Sequence, residues 1–176
     1  MANRAGSQVY IANLQRRFDI PANYRRPMTK ALIQVWDPPS ALDLAKMAPF
    51  CNLWGPHFWP HSELVEFAQS NHLLIAAILD QSGTWQGCAI VQKSGAMWDI
   101  LFLFVPENAR LHGHGKMLTN YLCDLAKRDQ ARILLEVRRS NAPAIRTYEA
   151  AGFKQHAVRS KYYKDGEDAL IYEFKP

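Results

Sequence analysis

Between Arg110 and Lys116 the chain reads Arg-Leu-His-Gly-His-Gly-Lys, two glycines flanked by two cations where an apolar run gives way to an amphipathic one. Glycines at 113 and 115 let a ligand come close to the backbone. The unpaired N–H groups of a first helical turn point outward there, and the helix dipole favours negative charge. A phosphate-bearing ligand suits that arrangement, with Arg110 and Lys116 adding ionic contacts. A glycine pair at a loop–helix junction is also ordinary turn chemistry, and this string alone leaves both readings open. It is not a Walker A loop, because no Gly-Lys-Ser/Thr follows. It is not the GxGxxG of dinucleotide folds either, and no acidic residue stands where a ribose would need one. His112 and His114 lack a third ligand and read as surface histidines, so no metal is expected. Cys51, Cys88 and Cys123 form no CxxC pair and read as small apolar core residues.

The elements that must position these residues follow from periodicity and turn signals. Ala31–Trp36 reads as a first strand, stopped by Asp37-Pro-Pro-Ser, with Ser40 capping a helix that buries Leu42, Ala45 and Met47. Residues 51–60 carry aromatics, prolines and a glycine and read as a loop. Ser62 is the expected cap of a second helix burying Leu64, Val65 and Phe67. Strands are expected at 72–79, 85–92 and 97–105, the last being the most hydrophobic, with turns at Asp80–Gly83 and Lys93–Gly95. Met117, Leu118, Tyr121, Leu122 and Leu125 recur at three- and four-residue intervals, which predicts a helix over 113–127 with one buried face. A strand at 132–137, a helix at 141–150 ended by Gly152, and strands at 153–159 and 169–174 complete the pattern.

A second stretch runs Leu135-Glu-Val-Arg-Arg-Ser-Asn-Ala-Pro-Ala-Ile-Arg-Thr-Tyr-Glu-Ala-Ala-Gly-Phe153. Together with the glycine string it resembles the GNAT superfamily, and within it the ribosomal-protein-alanine N-acetyltransferases of RimI type. The run LEVR, SN, AI, YE and GF matches that family without a gap. Arg159-Ser-Lys-Tyr-Tyr-Lys-Asp-Gly-Glu-Asp-Ala169 is similar to its closing pattern, and His57–Glu63 to its aromatic-proline-serine loop. The likeness is strong from His57 to Phe174, loose over 29–50 and absent from 1–28. Pro106 stands one position earlier than the family's usual proline, and His114 replaces a less polar residue.

The resemblance implies an α/β chain (α+β by some schemes): the GNAT fold, with a central mixed, mostly antiparallel sheet flanked by helices. It implies that residues 110–116 (Arg110, Leu111, His112, Gly113, His114, Gly115 and Lys116) bind the pyrophosphate of acetyl-CoA, and that Leu103, Phe104 and Val105 flank its pantetheine arm. It makes Asn141 a cofactor contact, Glu136 the general base and Tyr148 the acid that protonates the departing thiolate. Residue chemistry agrees with that transfer. An α-amine with a pKa of about 7.7–8.0 needs only a modest base, whereas a lysine near 10.4 costs roughly 3.5 kcal/mol more to neutralise. Without the family likeness, Glu136 would also fit a solvent-facing strand position and Tyr148 a core aromatic. Trp54, Phe58 and Trp59 fit either packing or a wall of a peptide groove. Tyr162, Tyr163 and Glu167 are candidates to clasp a substrate's first residues.

The net charge of +5 lies wholly within residues 1–30, and the remainder balances. A basic extension at 1–28 is therefore expected ahead of a domain at 29–176, with any nucleic-acid contact confined to that extension. No apolar stretch suits a membrane span or a secretory signal, so a cytoplasmic enzyme is expected. The first reading of function is acetylation of a protein's N-terminal α-amine, possibly on a ribosomal protein. The alternatives are a GNAT enzyme for lysine or a small amine, and a non-catalytic acyl-CoA sensor or ribosome-binding module.

Overall fold

The computed structural model describes residues 32–51, 60–70 and 72–176. One seven-stranded sheet organises them, in the order β1-β2-β3-β4-β5-β7-β6. Its strands are β1 (Leu32–Trp36), β2 (Leu73–Leu79), β3 (Trp85–Ser94), β4 (Met97–Phe104), β5 (Arg132–Arg138), β6 (Lys154–Arg159) and β7 (Ala169–Phe174). Four helices cover it: α1 (Ala41–Cys51), α2 (His61–Ser70), α3 (His114–Asp129) and α4 (Ala142–Ala150). Neighbouring strands pair antiparallel except β4 and β5, which α3 connects in parallel. Among the described residues no helix is long and apolar enough to cross a membrane.

Each face of the sheet has its own core. Leu74, Ala76, Val91, Trp98, Ile133 and Leu135 pack under α3 and α4, while Leu73, Ile75, Ala77, Cys88 and Ile90 pack under α1 and α2. The alternation in β2 and β5 is the two-residue period of a strand. In β4 that alternation is broken, because Ile90 pairs with Phe102 and Val91 with Ile100, leaving Leu101 as a bulge. Trp98 and Ile100 therefore share a face with Leu103 rather than with Phe102 and Phe104.

Helix α3 buries Leu118, Leu122 and Ala126, with Met117, Tyr121 and Leu125 at the margin of the same face, as its spacing predicts. Two details of the other helices differ from the sequence expectation. In α1 the buried residues are Leu44, Met47 and Cys51, whereas Leu42 is 63% exposed and Ala45 is also outside. The cap fixes that rotation: Ser40 Oγ accepts from the Asp43 N–H, and Asp43 Oδ2 accepts from the Ser40 N–H. In α2 the helix begins one residue before Ser62, and the Leu64 N–H bonds to the Pro60 carbonyl. Ser62 is therefore an exposed helical residue, with Leu64 buried and Val65 and Phe67 only partly so. Helix α4 ends in a left-handed turn at Gly152 (φ +97°), closed by Phe153 N–H to Tyr148 O and Gly152 N–H to Glu149 O.

Candidate active site

The chain leaves β4 through Pro106 and a 3-10 turn at Glu107–Ala109, then reaches α3 over Arg110–Gly113. Gly113 stands before the helix at φ +81°, a conformation that disfavours side chains, and no side chain caps the first turn. That turn carries no acid, and the Met117 N–H bonds back to the Gly113 carbonyl at 2.9 Å. A Cβ added at Gly115 would meet only Val105, at 4.0 Å. The protein's own packing therefore does not require glycine at 115, and the space belongs to the outside of a bare helix N-terminus. An anion such as a diphosphate fits there. Gly87 differs, because a Cβ there would lie 3.0 Å from the Phe104 carbonyl.

Arg110 is tied back by its Nε to the Val105 carbonyl, and Leu111 is fully exposed at φ +66°. Lys116 lies exposed in the first turn. The histidines do not behave alike. His112 is exposed, whereas His114 is buried beside it with ring centroids 5.9 Å apart. Burial pushes the His114 imidazole down, so it is neutral at pH 7, and its Nδ1 has no partner among the described residues. His114 is thus a packed floor of the loop, not a surface residue. No third metal-binding side chain joins the pair among the described residues.

Further along, the sheet opens. The parallel ladder joins Met97–Ile100 to Arg132–Leu135 and goes no further. Beyond Leu135, β5 continues against β7, and beyond Ile100, β4 continues against β3. Leu103 and Phe104 therefore line an edge of β4 without a strand partner on the β5 side. An extended chain carrying amides can pair with such an edge. Leu103 turns toward the α3 face and Phe104 toward the α1 face.

Glu136 is the first residue of β5 past the last pair. It alternates with Leu135 and Val137, which face α3 and α4, so its side chain is on the opposite face. Its Oε1 lies 2.7 Å from Arg159 Nη1, and Tyr162 hydrogen-bonds to it, which pushes the Tyr162 phenol up. Tyr148 belongs to the α3–α4 face, 7% exposed and tilted against Phe153. Burial, with Tyr163 nearby, pushes its phenol up to about 12, so it holds its proton at neutral pH. Glu136 and Tyr148 thus stand on opposite faces of the sheet where it opens.

Tyr162 and Tyr163 meet edge to face at 5.2 Å, and the Arg138 guanidinium stacks 3.9 Å over Tyr163. Glu167 is already engaged: Arg138 Nη1 donates to its Oε2 and the Ser140 N–H to its Oε1. It braces the β5–α4 turn to the β6–β7 hairpin. Asn141 caps α4, its Oδ1 accepting from the Ala144 N–H at 3.3 Å. Trp54, Phe58 and Trp59 lie outside the described residues. Cys51, Cys88 and Cys123 are all free and buried, and burial pushes each thiol up, Cys123 to about 12.

Three residues here escaped the reading of sequence: Arg159 on Glu136, Arg138 on Glu167, and Asp99 on β4. Asp99 pairs in register with Leu134, one step from Glu136. It had a visible signal, as the single acid in the most apolar strand.

Comparison with known proteins matches residues 42–153 to the acetyltransferase (GNAT) family. The [ribosomal protein bS18]-alanine N-acetyltransferase of Escherichia coli K12 is 35% identical over 119 residues, covering 65% of this chain and 80% of that protein. The enzyme of the same name from Salmonella typhimurium is 29% identical over 147 residues, 81% of this chain and 94% of that one. A crystal structure of the ribosomal-protein-S18-alanine N-acetyltransferase from Escherichia coli superposes with a TM-score of 0.68 at 23% identity, covering 82% of this chain and 94% of that one.

Proposed function

The chain belongs to the acetyltransferase (GNAT) family, an acetyl-CoA-dependent N-acetyltransferase, and we propose that its acceptor is the N-terminal α-amine of a protein. The relatives named for an alanine on ribosomal protein bS18 make a small N-terminal residue on a ribosomal protein the first candidate. A cytoplasmic location suits such an acceptor. We assign the catalytic domain to residues 29–176, with 1–28 as a basic extension able to contact an anionic partner.

The observation that carries this reading is the opening between β4 and β5, with a carboxylate on one face and a phenol on the other. Acetyl-CoA supplies an activated acetyl thioester. The bare start of α3, from Gly113 to Lys116, would hold its diphosphate, with Arg110 alongside and Leu111 and His112 at the rim of the loop. The free edge at Leu103 and Phe104, continuing to Val105, would pair with the amides of its pantetheine arm. Asn141, which caps α4, would contact the cofactor from the start of the helix that carries Tyr148.

Glu136 then takes a proton from the acceptor's ammonium, directly or through one water, freeing the nitrogen lone pair. Arg159 and Tyr162 keep its carboxylate oriented. Tyr148 donates to the departing sulfur. With its phenol at about 12, it stays protonated throughout the neutral range and favours hydrogen-bond donation as charge develops there. Tyr162, 48% exposed, and Tyr163 form the floor for the acceptor's first residues, with Glu167 bracing that floor rather than touching substrate.

The test is acetylation of matched peptides, one with only its α-amine free and one with only a lysine free, read by mass spectrometry. Turnover of the first and little of the second is expected. A preference for the lysine peptide overturns the assigned acceptor.

A further inference from the structure

The first turn of α3 holds no acid and no side-chain cap, so its unpaired N–H groups are open to an anion. One more polar group lies within that turn. His114 is the first residue of the helix, and a helical Cα–Cβ bond leans toward the N-terminus, so its ring reaches back under the loop. There it is 6% exposed and 5.9 Å from the His112 ring.

The two nitrogens of that ring differ. The ring hydrogen-bonds to the Ala109 carbonyl, to which His112 Nδ1 also donates at 3.3 Å. A carbonyl only accepts, and His114 Nδ1 has no partner among the described residues, so Nε2 carries the proton of the neutral ring. Nδ1 is then a buried lone pair facing no donor, which is costly. A proton there would remove the orphaned acceptor but create a buried charge. In the free protein burial outweighs the help from Ala109, His112 adds to it, and the imidazole is pushed below its ordinary 6.5. Glu107, Arg110 and His112 of the loop and Lys116 of the helix stand around it. The near ends of β3 and β4, against which α3 rests at Gly87 and Val105, bring only the Cys88 thiol, packed on the other face. Among all described charges, those of β2, β5 and α4 included, His112 is the one that acts on His114.

We propose that His114 takes up a proton as coenzyme A binds, so that an imidazolium in the first turn of α3 balances the charge of the diphosphate. This rests on the placement of the diphosphate at Gly113–Lys116, and adds to it a side chain that acts by charge. The proton comes from solvent, the Nδ1 lone pair forms the new N–H bond, and the proton returns to solvent when the coenzyme leaves. A negative ligand raises the midpoint of a nearby base, and a base whose midpoint rises on binding makes binding tighter at lower pH. Affinity should therefore grow as pH falls through the bound midpoint and level off below the free one, which lies under 6.5.

Dephospho-coenzyme A is the probe, because it keeps the diphosphate and lacks the phosphate monoester that itself titrates near about pH 6. NMR of the full-length protein follows the amides of 113–116 and the His114 ring, assigned by its loss in His114→Leu, as pH is varied with and without the probe. The His114 midpoint should rise by about one unit or more in the complex. Calorimetry at about pH 6, in two buffers of different ionisation enthalpy, should show proton uptake in the wild type and in His112→Asn, and little in His114→Leu. Between about pH 8 and about pH 6 the wild-type Kd should tighten at least several-fold, and that of His114→Leu should hold. A His114 midpoint that the probe leaves in place while the 113–116 amides shift overturns this inference alone, as does proton uptake preserved in His114→Leu. Amides that stay unmoved at saturation remove the diphosphate from α3 and overturn both. If His114→Leu fails to fold, His114→Gln takes its place, and the wild-type titration decides.

Discussion

Tyr148 and Glu136 are set apart by surroundings, not by type. The phenol is sealed beside Phe153 under the sheet, while the carboxylate meets Arg159 and an exposed tyrosine on the other side. Tyr148→Phe keeps the ring and its packing and removes only the hydroxyl. It should therefore lower kcat by about a hundredfold, in the range of a lost general acid, while calorimetry shows the Kd for acetyl-CoA and the Tm nearly unchanged. An unchanged kcat would take Tyr148 out of the chemistry. The motif around Tyr148 made it readable in the sequence. Asp99 shows in the sequence only as the single acid of the most apolar strand; that it neighbours Glu136, 37 positions on, comes from the parallel ladder alone. Glu167 stands in the sequence as a candidate substrate contact within the Arg159–Ala169 stretch; its engagement by Arg138 and Ser140 is visible only in three dimensions.

Among the elements, α3 is where stability and ligand binding oppose each other. Gly115 sits inside a helix without a steric reason, so Gly115→Ala should raise thermal stability by up to about 1 kcal/mol through helix propensity. The same methyl would stand where we propose that the cofactor's phosphates bind, so coenzyme A should bind at least several-fold more weakly by calorimetry. Gly87→Ala should behave in the opposite way. Its methyl would press on the Phe104 carbonyl at 3.0 Å, costing about 1–3 kcal/mol in a denaturant titration. The face of α3 was legible because Leu118, Leu122 and Leu125 leave one choice of stripe. In α1 the closely spaced Leu42 and Leu44 allow two, and only the Ser40–Asp43 cap and the length of the helix select Leu44, Met47 and Cys51. The bulge at Leu101 carries no glycine or proline to announce it, so the change of face within β4 could not be foreseen.

For the molecule as a whole, the far side of the sheet depends on one buried acid. Glu173 of β7 is 6% exposed and is reached by Arg132 of β5, His156 of β6 and Lys175. Burial pushes its carboxyl up, but Lys175 and Arg132 outweigh that and hold it below the usual range. A group bound less tightly to its proton when folded contributes stability above its unfolded pKa and loses it as pH falls through the folded value. Chemical denaturation should therefore show stability declining below about pH 4, and Glu173→Gln should flatten that decline. An identical acid limb in the variant would assign the loss to other carboxylates.

The sealed sulfurs have a bearing on the enzyme's own safety. An acetyl thioester exchanges readily with any free thiolate, so a protein that holds one through every cycle risks modifying itself. All three of this chain's cysteines are shut inside the two cores with their protons held fast, which keeps their sulfurs from competing with the incoming amine for the donor.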